Sequence, residues 1–270
     1  MPGALGVGAL SFRIGLCMTN AFETHNIGHL SPSSINLWLN APSLWVLEKL
    51  LGHRGGVGAA AHRGTATEAG VSAGLFDHDL TLDACVAVAL PIYDRLTALS
   101  GDPKRDTERG VIPGMVKQGL ALRTHGVPIR PNRGDQHKVE TSLDGVGVPV
   151  IGYLDWMFAD EILDLKTTLR VPSAMSETHL RQASVYKRAH MDKRVRFVYV
   201  SDKKSETHTL TREQYDAAIV QLTGAALRLQ KFLAISADAR ELAAIVPHSS
   251  DSFYFNDPAT RAKSVEVFGY

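Results

Sequence analysis

The sequence predicts an α/β domain of the α+β kind, with short strands enclosed before and after by helices. Three observations carry this reading. Residues 31–135 repeat apolar side chains at the helical period, residues 136–211 hold short β-branched runs separated by turn signals, and residues 212–270 return to the helical period. The chain has 270 residues and 44% hydrophobic content, with no internal repeat or low-complexity linker, so a single domain spanning about residues 31–270 is expected.

Residues 1–17 are apolar and Gly-rich with Arg13 as their only charge. No basic segment precedes the apolar run, so it is not read as a secretion signal; residues 1–30 are expected to be a disordered lead, with Met18 an alternative start. Ser31-Pro32-Ser33-Ser34 then supplies N-caps for a helix in which Leu37, Trp38, Trp45 and Leu50 recur at helical spacing, and Pro42 breaks or bends it. Trp38 and Trp45 are assigned to the core rather than to base stacking. Further helices are expected from Gly64 to Leu75, Thr81 to Ser100 and Val111 to Thr124, the last stopped by His125-Gly126. From about Gln136, the runs QHKVETSL, VPVIGYLDWMFA and EILDLKTT read as a three-stranded antiparallel meander. A helix from Ser176 to Met191, a strand VRFVYVS and a shorter strand THTL follow. Thr211 and Gln214 form a capping box for a long amphipathic helix through about Ile235.

Composition excludes several classes. The two cysteines, Cys17 and Cys85, are too few for a disulfide scaffold, a four-cysteine zinc site or a four-cysteine iron–sulfur cluster, so a reducing, intracellular setting is expected. No stretch approaches the ~20 apolar residues of a membrane span. The net charge of +1 argues against holding nucleic acid by bulk charge, but it averages opposites. Residues 139–165 hold six acids and no Lys or Arg, whereas residues 102–138 hold eight Lys/Arg against four acids and residues 179–204 hold eight against two. An acidic strand cluster between basic flanks suits a cation-loaded site facing a polyanion, or a set of separate solvated surfaces. Other motifs fail: Gly56-Val57-Gly58 lacks the third glycine of a dinucleotide loop, no G-x-S-x-G occurs, and His25 and His29 lack the glutamate of a zincin helix.

The sharpest local signal is Asp155 followed by Asp164-Leu165-Lys166. On adjacent antiparallel strands the two aspartates lie side by side, and period-two alternation puts Asp164 and Lys166 on one face with Leu165 turned inward. Carboxylates so placed repel, and a hard divalent cation, Mg²⁺ or Mn²⁺, relieves the repulsion. A solvated strand edge carrying a surface ion pair is the competing reading of these three residues.

Residues 151–167, IGYLDWMFADEILDLKT, resemble the core of the PD-(D/E)XK nuclease superfamily, in its RecB-like and phage-exonuclease branch, where a G-x-x-D strand precedes a (D/E)-x-K-T strand. Gly152, Asp155, Asp164, Lys166 and Thr167 fall on that pattern. Gln182-Ala183-Ser184-Val185-Tyr186 is similar to the branch's Q-x-x-x-Y helix. Arg63-Gly64-Thr65-Ala66-Thr67-Glu68 resembles its G-T-x-x-H helix, and the segment from Ser31 to Pro42 its N-terminal motif. Glu68 stands where the RecB-like pattern has histidine, as in phage-type members, with His62 the competing candidate. Asn40-Ala41-Pro42 lacks the cysteine that some relatives use for an iron–sulfur cluster, so none is expected.

The resemblance implies a restriction-endonuclease-like core with a central mixed sheet, and metal-dependent phosphodiester hydrolysis. Glu68, Asp155, Asp164 and the Leu165 backbone carbonyl would hold Mg²⁺ or Mn²⁺, and Lys166 would position the attacking water. Gln182 and Tyr186 would orient Lys166 or contact DNA. Arg170, Arg181, Arg130, Arg133 and Lys138 are candidate DNA contacts or solvated cations, and Glu140 is an extra ligand or an exposed strand acid. The implied partners are DNA, a single-strand annealing protein and further copies of the chain, in the cytoplasm of a bacterial or phage-infected cell. An exonuclease acting on duplex ends is the leading expectation; an endonuclease of the superfamily and an inactive DNA-binding accessory subunit are the alternatives.

Overall fold

The structure, a computed structural model, describes residues 20–134, 136–249 and 251–269. Its first part is helical. A short α1 (Ala21–Thr24) leads to α2 (Pro32–Asn40), where the Ser31 hydroxyl accepts the Ser34 N–H at 3.1 Å and Pro32 takes the first position, which needs no donor. Pro42 ends α2 and opens α3 (Pro42–Lys49), as its sequence position predicts. Next come α4 (Ala59–Phe76), α5 (Leu82–Leu96, capped by Thr81) and α6 (Arg105–Gly119), with a 3-10 turn over Leu120–His125. Gly126, at φ +87°, closes that turn. Helix α4 starts five residues earlier than its spacing predicts because its cap is tertiary: Asp102, far along the chain, accepts the Ala59 N–H at 2.9 Å. Helix α6 also starts early, since its first turns are polar and carry no apolar period.

The strands correct the predicted meander. β1 (His137–Thr141) pairs antiparallel with β2 (Val150–Leu154), but the run expected to continue β2 breaks at Asp155 and resumes as β3 (Trp156–Met157) in a different sheet. There β3 pairs antiparallel with β4 (Glu161–Thr167), β4 parallel with β5 (Arg194–Val200), and β5 antiparallel with β6 (Ser205–Thr209). The cause of the break is local. The Asp155 carboxylate, through Oδ2, accepts the Leu165 N–H at 2.7 Å, taking the place of a ladder partner and sending the two halves of the run to separate sheets. The parallel step from β4 to β5 is made by α7 (Glu177–Ala189), capped by Ser176. The Thr211–Gln214 capping box opens α8 (Arg212–Leu233), and α9 (Ala239–Ile245) and α10 (Pro258–Phe268) complete the described chain. The result is an α/β arrangement with a mixed four-stranded sheet and helices.

The ordered fold begins before residue 31. Phe22 and Leu30 are fully buried, and Leu30 exchanges backbone hydrogen bonds at 2.9 and 2.8 Å with Pro149 and Ile151 beside β2. The expected lead is thus too long by the segment from Asn20; its first nineteen residues lie outside the described ones. Both faces of the four-stranded sheet are covered. Ile162, Val195 and Phe197 pack with residues of α7, α8 and the N-terminal segment, and Trp45 belongs to the same cluster. Leu163, Leu165 and Val198 pack with Val71 and Leu75 of α4 and Met115 of α6. Among the described residues no helix is long and apolar enough to cross a membrane.

Candidate active site

The break at Asp155 is where the chemistry gathers. Burial of Leu163 and Leu165 against α4 turns Asp164 and Lys166 to the opposite face, toward α7, as strand alternation dictates. Asp155 sits beside them through its bond to Leu165, and α4 supplies Glu68 from across a cavity of about 600 Å³. A single amide spans the gap: Gln136 Nε2 donates to Glu68 Oε1 at 2.8 Å and to Asp155 Oδ1 at 2.9 Å. Lys166 pairs with Asp164 Oδ1 and lies 4.9 Å from the centre of the Phe197 ring.

Helix α7 backs the site. Gln182 and Tyr186 share one helix face, and Gln182 Nε2 donates to the Tyr186 hydroxyl at 2.6 Å. That hydroxyl lies 2.5 Å from the Tyr153 carbonyl and 3.1 Å from Asp164 Oδ2. The Tyr186 ring reaches this position because residue 152 is glycine; a Cβ there would stand 3.0 Å from Tyr186 Cε1. Gln182 lines the cavity that holds Lys166, and the Tyr186 hydroxyl meets Asp164 rather than Lys166. Tyr186 is fully buried and holds the Asp164 carboxylate, with Gln182 aligning its hydroxyl.

Electrostatics follow from crowding. Burial, then the Asp164 and Glu68 charges, push the Asp155 carboxyl well above its ordinary range. Burial likewise raises Glu68, against the stabilising hydrogen bond from Gln136. For Lys166, burial favours the neutral amine, but Asp164 and then Asp155 outweigh it, and the group is held as an ammonium. Three carboxyl groups face one ammonium in a partly buried place, and ionising all of them there is costly, which is what raises Asp155 and Glu68.

The donor set suits a hard divalent cation: carboxylate oxygens of Asp155, Asp164 and Glu68, with a backbone oxygen at Leu165. In an extended strand the N–H and C=O of one residue point to the same edge, so the Leu165 carbonyl faces the edge where its N–H meets Asp155. Among the described residues no three His, Cys, Asp or Glu side chains already form a group able to hold a metal. The Gln136 amide lies between two of the carboxylates and the Lys166 ammonium lies on the third. Donor type and charge fit the cation that the sequence motif implies.

The other candidates divide. Arg170 is exposed on the rim of the same cavity, and Arg130 and Arg133 line an adjoining one with Glu68 and Gln136. Arg181 is removed from the DNA-contact set: it is buried, and Nε donates to Asn36 Oδ1 at 2.6 Å and Nη1 to Gln221 Oε1 at 2.8 Å, clamping α7 to α2 and α8. Lys138 lies on β1 in a 2.8 Å pair with Glu140, which is thereby an exposed strand acid, and neither residue lines the cavity. His62 does not line it either, whereas Glu68 does.

Sequence reasoning missed several residues here. Gln136 leaves no signal, because nothing in its neighbours announces a bridging amide. Arg63 makes a buried ion pair with Glu108 and donates to the Thr167 carbonyl at 3.2 Å, tying α4 to the end of β4. His179 had a signal: it precedes Gln182 by three residues, on the face that carries Tyr186. Its Nδ1 lies 2.6 Å from the Tyr199 hydroxyl, which takes a backbone hydrogen bond from Ser176 and so directs its own proton to the imidazole. Burial and then the Lys166 charge push His179 down to about 4, so the ring is neutral.

No protein-family model matches the chain, and no curated protein matches it in sequence. One solved structure, the crystal structure of SSO0001, aligns over 70% of this chain and 84% of its own, at 15% identity and a TM-score of 0.32. A likeness at that level carries no argument about fold or activity.

Proposed function

We propose that the protein is a metal-dependent deoxyribonuclease of the PD-(D/E)XK superfamily, built on a restriction-endonuclease-like core and acting as an exonuclease at duplex ends. One observation supports this above all: Glu68, Asp155, Asp164 and Lys166, scattered over about a hundred residues, line one cavity, with the Gln182–Tyr186 pair fastened behind Asp164. A solvated strand edge would not bury Asp155 and Asp164 or place a third carboxylate opposite them.

Bound Mg²⁺ would supply Lewis acidity toward a phosphate oxygen and lower the pKa of a water. Asp155, Asp164 and Glu68 would hold the ion, and the Leu165 carbonyl completes the oxygen set. As an ammonium, Lys166 donates to the attacking water or to a non-bridging phosphate oxygen, orienting the first and neutralising charge on the second. Tyr186 keeps Asp164 from rotating away from this arrangement. Arg170 stands where a flanking phosphate would pass.

The test is digestion of end-labelled linear, nicked and covalently closed DNA with and without Mg²⁺. Expected is metal-dependent release of nucleotides from linear DNA alone, with Lys166→Ala and Asp164→Ala each lowering turnover by roughly 10²- to 10⁴-fold. Efficient cutting of closed circles would transfer the assignment to an endonuclease of the same superfamily. Binding without hydrolysis in either metal, unaltered by Lys166→Ala, would leave a DNA-binding accessory subunit.

A further inference from the structure

Three cavities meet at one side chain. The catalytic cavity shares lining residues with one of about 880 Å³ toward Arg130 and with one of about 690 Å³ toward Ser31 and Asn36. Tyr153 lines all three. Tyr153 is 55% exposed although its backbone is fixed, since its carbonyl accepts the Tyr186 hydroxyl at 2.5 Å. Tyr153 is the outward-facing residue of β2 between the inward Gly152 and Leu154, and it lines the catalytic cavity together with Asp155, which follows the end of the strand. An exposed aromatic ring on a rigid strand, next to a polar catalytic cavity, has no folding role that requires it.

The two side cavities differ in kind. The larger shares Thr65, Glu68 and Gln136 with the catalytic cavity, and Ala69, Ala73 and Phe76 of α4 give it an apolar floor. Arg130 lies over Phe76 with its guanidinium carbon 4.6 Å from the ring centre, and Arg133 stands beside it. The smaller is lined by hydroxyls, amides, two histidines and the apolar Pro32, Leu37 and Ile151, with no Lys or Arg among its lining residues. A flat ring, an apolar floor and two guanidinium groups match the parts of a nucleotide: a base to stack, a sugar to bury and a phosphate to pair. The volume is ample for one.

We infer that Tyr153 is the stacking platform for an unpaired nucleobase of the strand being cut, and that the Arg130 cavity is the subsite of the nucleotide next to the scissile phosphate. The inference rests on the nuclease reading and adds to it where the strand runs: from the carboxylates past Tyr153 toward Arg130 and Arg133. The cavity on the other side offers no Lys or Arg to pair with a phosphate.

The experiment uses the full-length protein and a single-stranded oligonucleotide carrying 2-aminopurine, with Ca²⁺ in place of Mg²⁺ to allow binding without hydrolysis. Wild type and Tyr153→Phe are expected to quench the fluorophore equally, because both present a ring. Tyr153→Leu should abolish the quenching and weaken binding by about 5- to 150-fold, the span of one lost base–aromatic stack. Arg130→Gln should weaken binding and lower the slope of log affinity against log salt by about 0.7, with quenching retained at saturation. Far-ultraviolet circular dichroism checks that each variant is folded. Wild-type quenching and affinity in Tyr153→Leu would overturn the stacking platform, and an unchanged salt slope in Arg130→Gln would overturn the subsite. Both results leave the nuclease reading intact if wild type cleaves linear DNA with Mg²⁺. A wild type that neither binds nor cleaves overturns the two together.

Discussion

His179 shows how a site residue reports on its surroundings. The ring stays neutral in the folded protein because burial and the Lys166 charge push it down to about 4 from an ordinary 6.5. The unfolded chain takes up that proton first as pH falls, so the contribution of His179 to stability is fully present above about pH 6.5 and is lost between 6.5 and 4. Asp155 runs the other way, its raised carboxyl favouring the folded state as pH falls, so the net slope mixes the two. Comparison with His179→Gln, which still offers an acceptor to Tyr199, separates them. Urea titrations at pH 7.5 and 4.5 should show wild type losing on the order of 2 to 3 kcal/mol more than the variant, after allowance for the partial solvent exposure of the ring. Equal losses would mean that the imidazole is not held neutral. At this scale Asp155, Asp164, Lys166 and Glu68 were legible, because strand alternation and motif spacing both point to them. The direction of Arg181 was not. It adjoins Gln182 in sequence, yet neighbours on a helix diverge by about 100°, and the face beside the catalytic one is the one that packs on α2 and α8.

Among the elements, the contact between β2 and α7 sets the precision of the site. Gly152 leaves room for the Tyr186 ring, and a Cβ in its place would also stand 3.2 Å from Val139 Cγ2, so neither side of the contact can yield freely. Gly152→Ala is expected to cost about 1 to 2 kcal/mol of stability. Its kinetic effect should fall on kcat more than on KM, because the displaced Tyr186 releases Asp164 while the exposed binding surfaces stay in place. A KM change with kcat preserved would show that the Tyr186–Asp164 bond does not set the geometry of the reacting groups. Caps and prolines made most element boundaries legible: Ser31, Pro42, Thr81, Ser176 and Thr211 all stand where the structure starts or stops a helix. Two of the misread boundaries have non-local causes. The start of α4 depends on Asp102, and the end of β2 on a side chain that captures a backbone N–H ten residues away.

For the molecule as a whole, the N-terminal segment is the part that composition conceals. Residues 20–30 are mostly polar, yet Phe22 and Leu30 are fully buried and Leu30 bridges to the strand that leads to Asp155. A chain beginning at Ser31 should be less stable than one beginning at Asn20 by on the order of 3 to 5 kcal/mol, the burial of two large apolar side chains. Denaturant midpoints of the two chains check this, and equal midpoints would show that the segment rests on the fold without supporting it. The distribution of charge was legible from the start as an acidic strand region between basic flanks, and the structure brings Arg130 and Arg133 of the first flank to a cavity that shares Glu68 and Gln136 with the catalytic one. What no pattern along the chain expresses is that the two oxygens of Asp155 have separate duties: one fastens Leu165 and thereby splits the sheet, while the other faces Gln136 and the open cavity. Position 155 consequently has no conservative neighbour in mutational space. Asparagine keeps an acceptor for Leu165 but turns an N–H toward the Gln136 amide, and glutamate carries both oxygens a methylene away. A substitution at this residue alters the architecture and the chemistry in the same step.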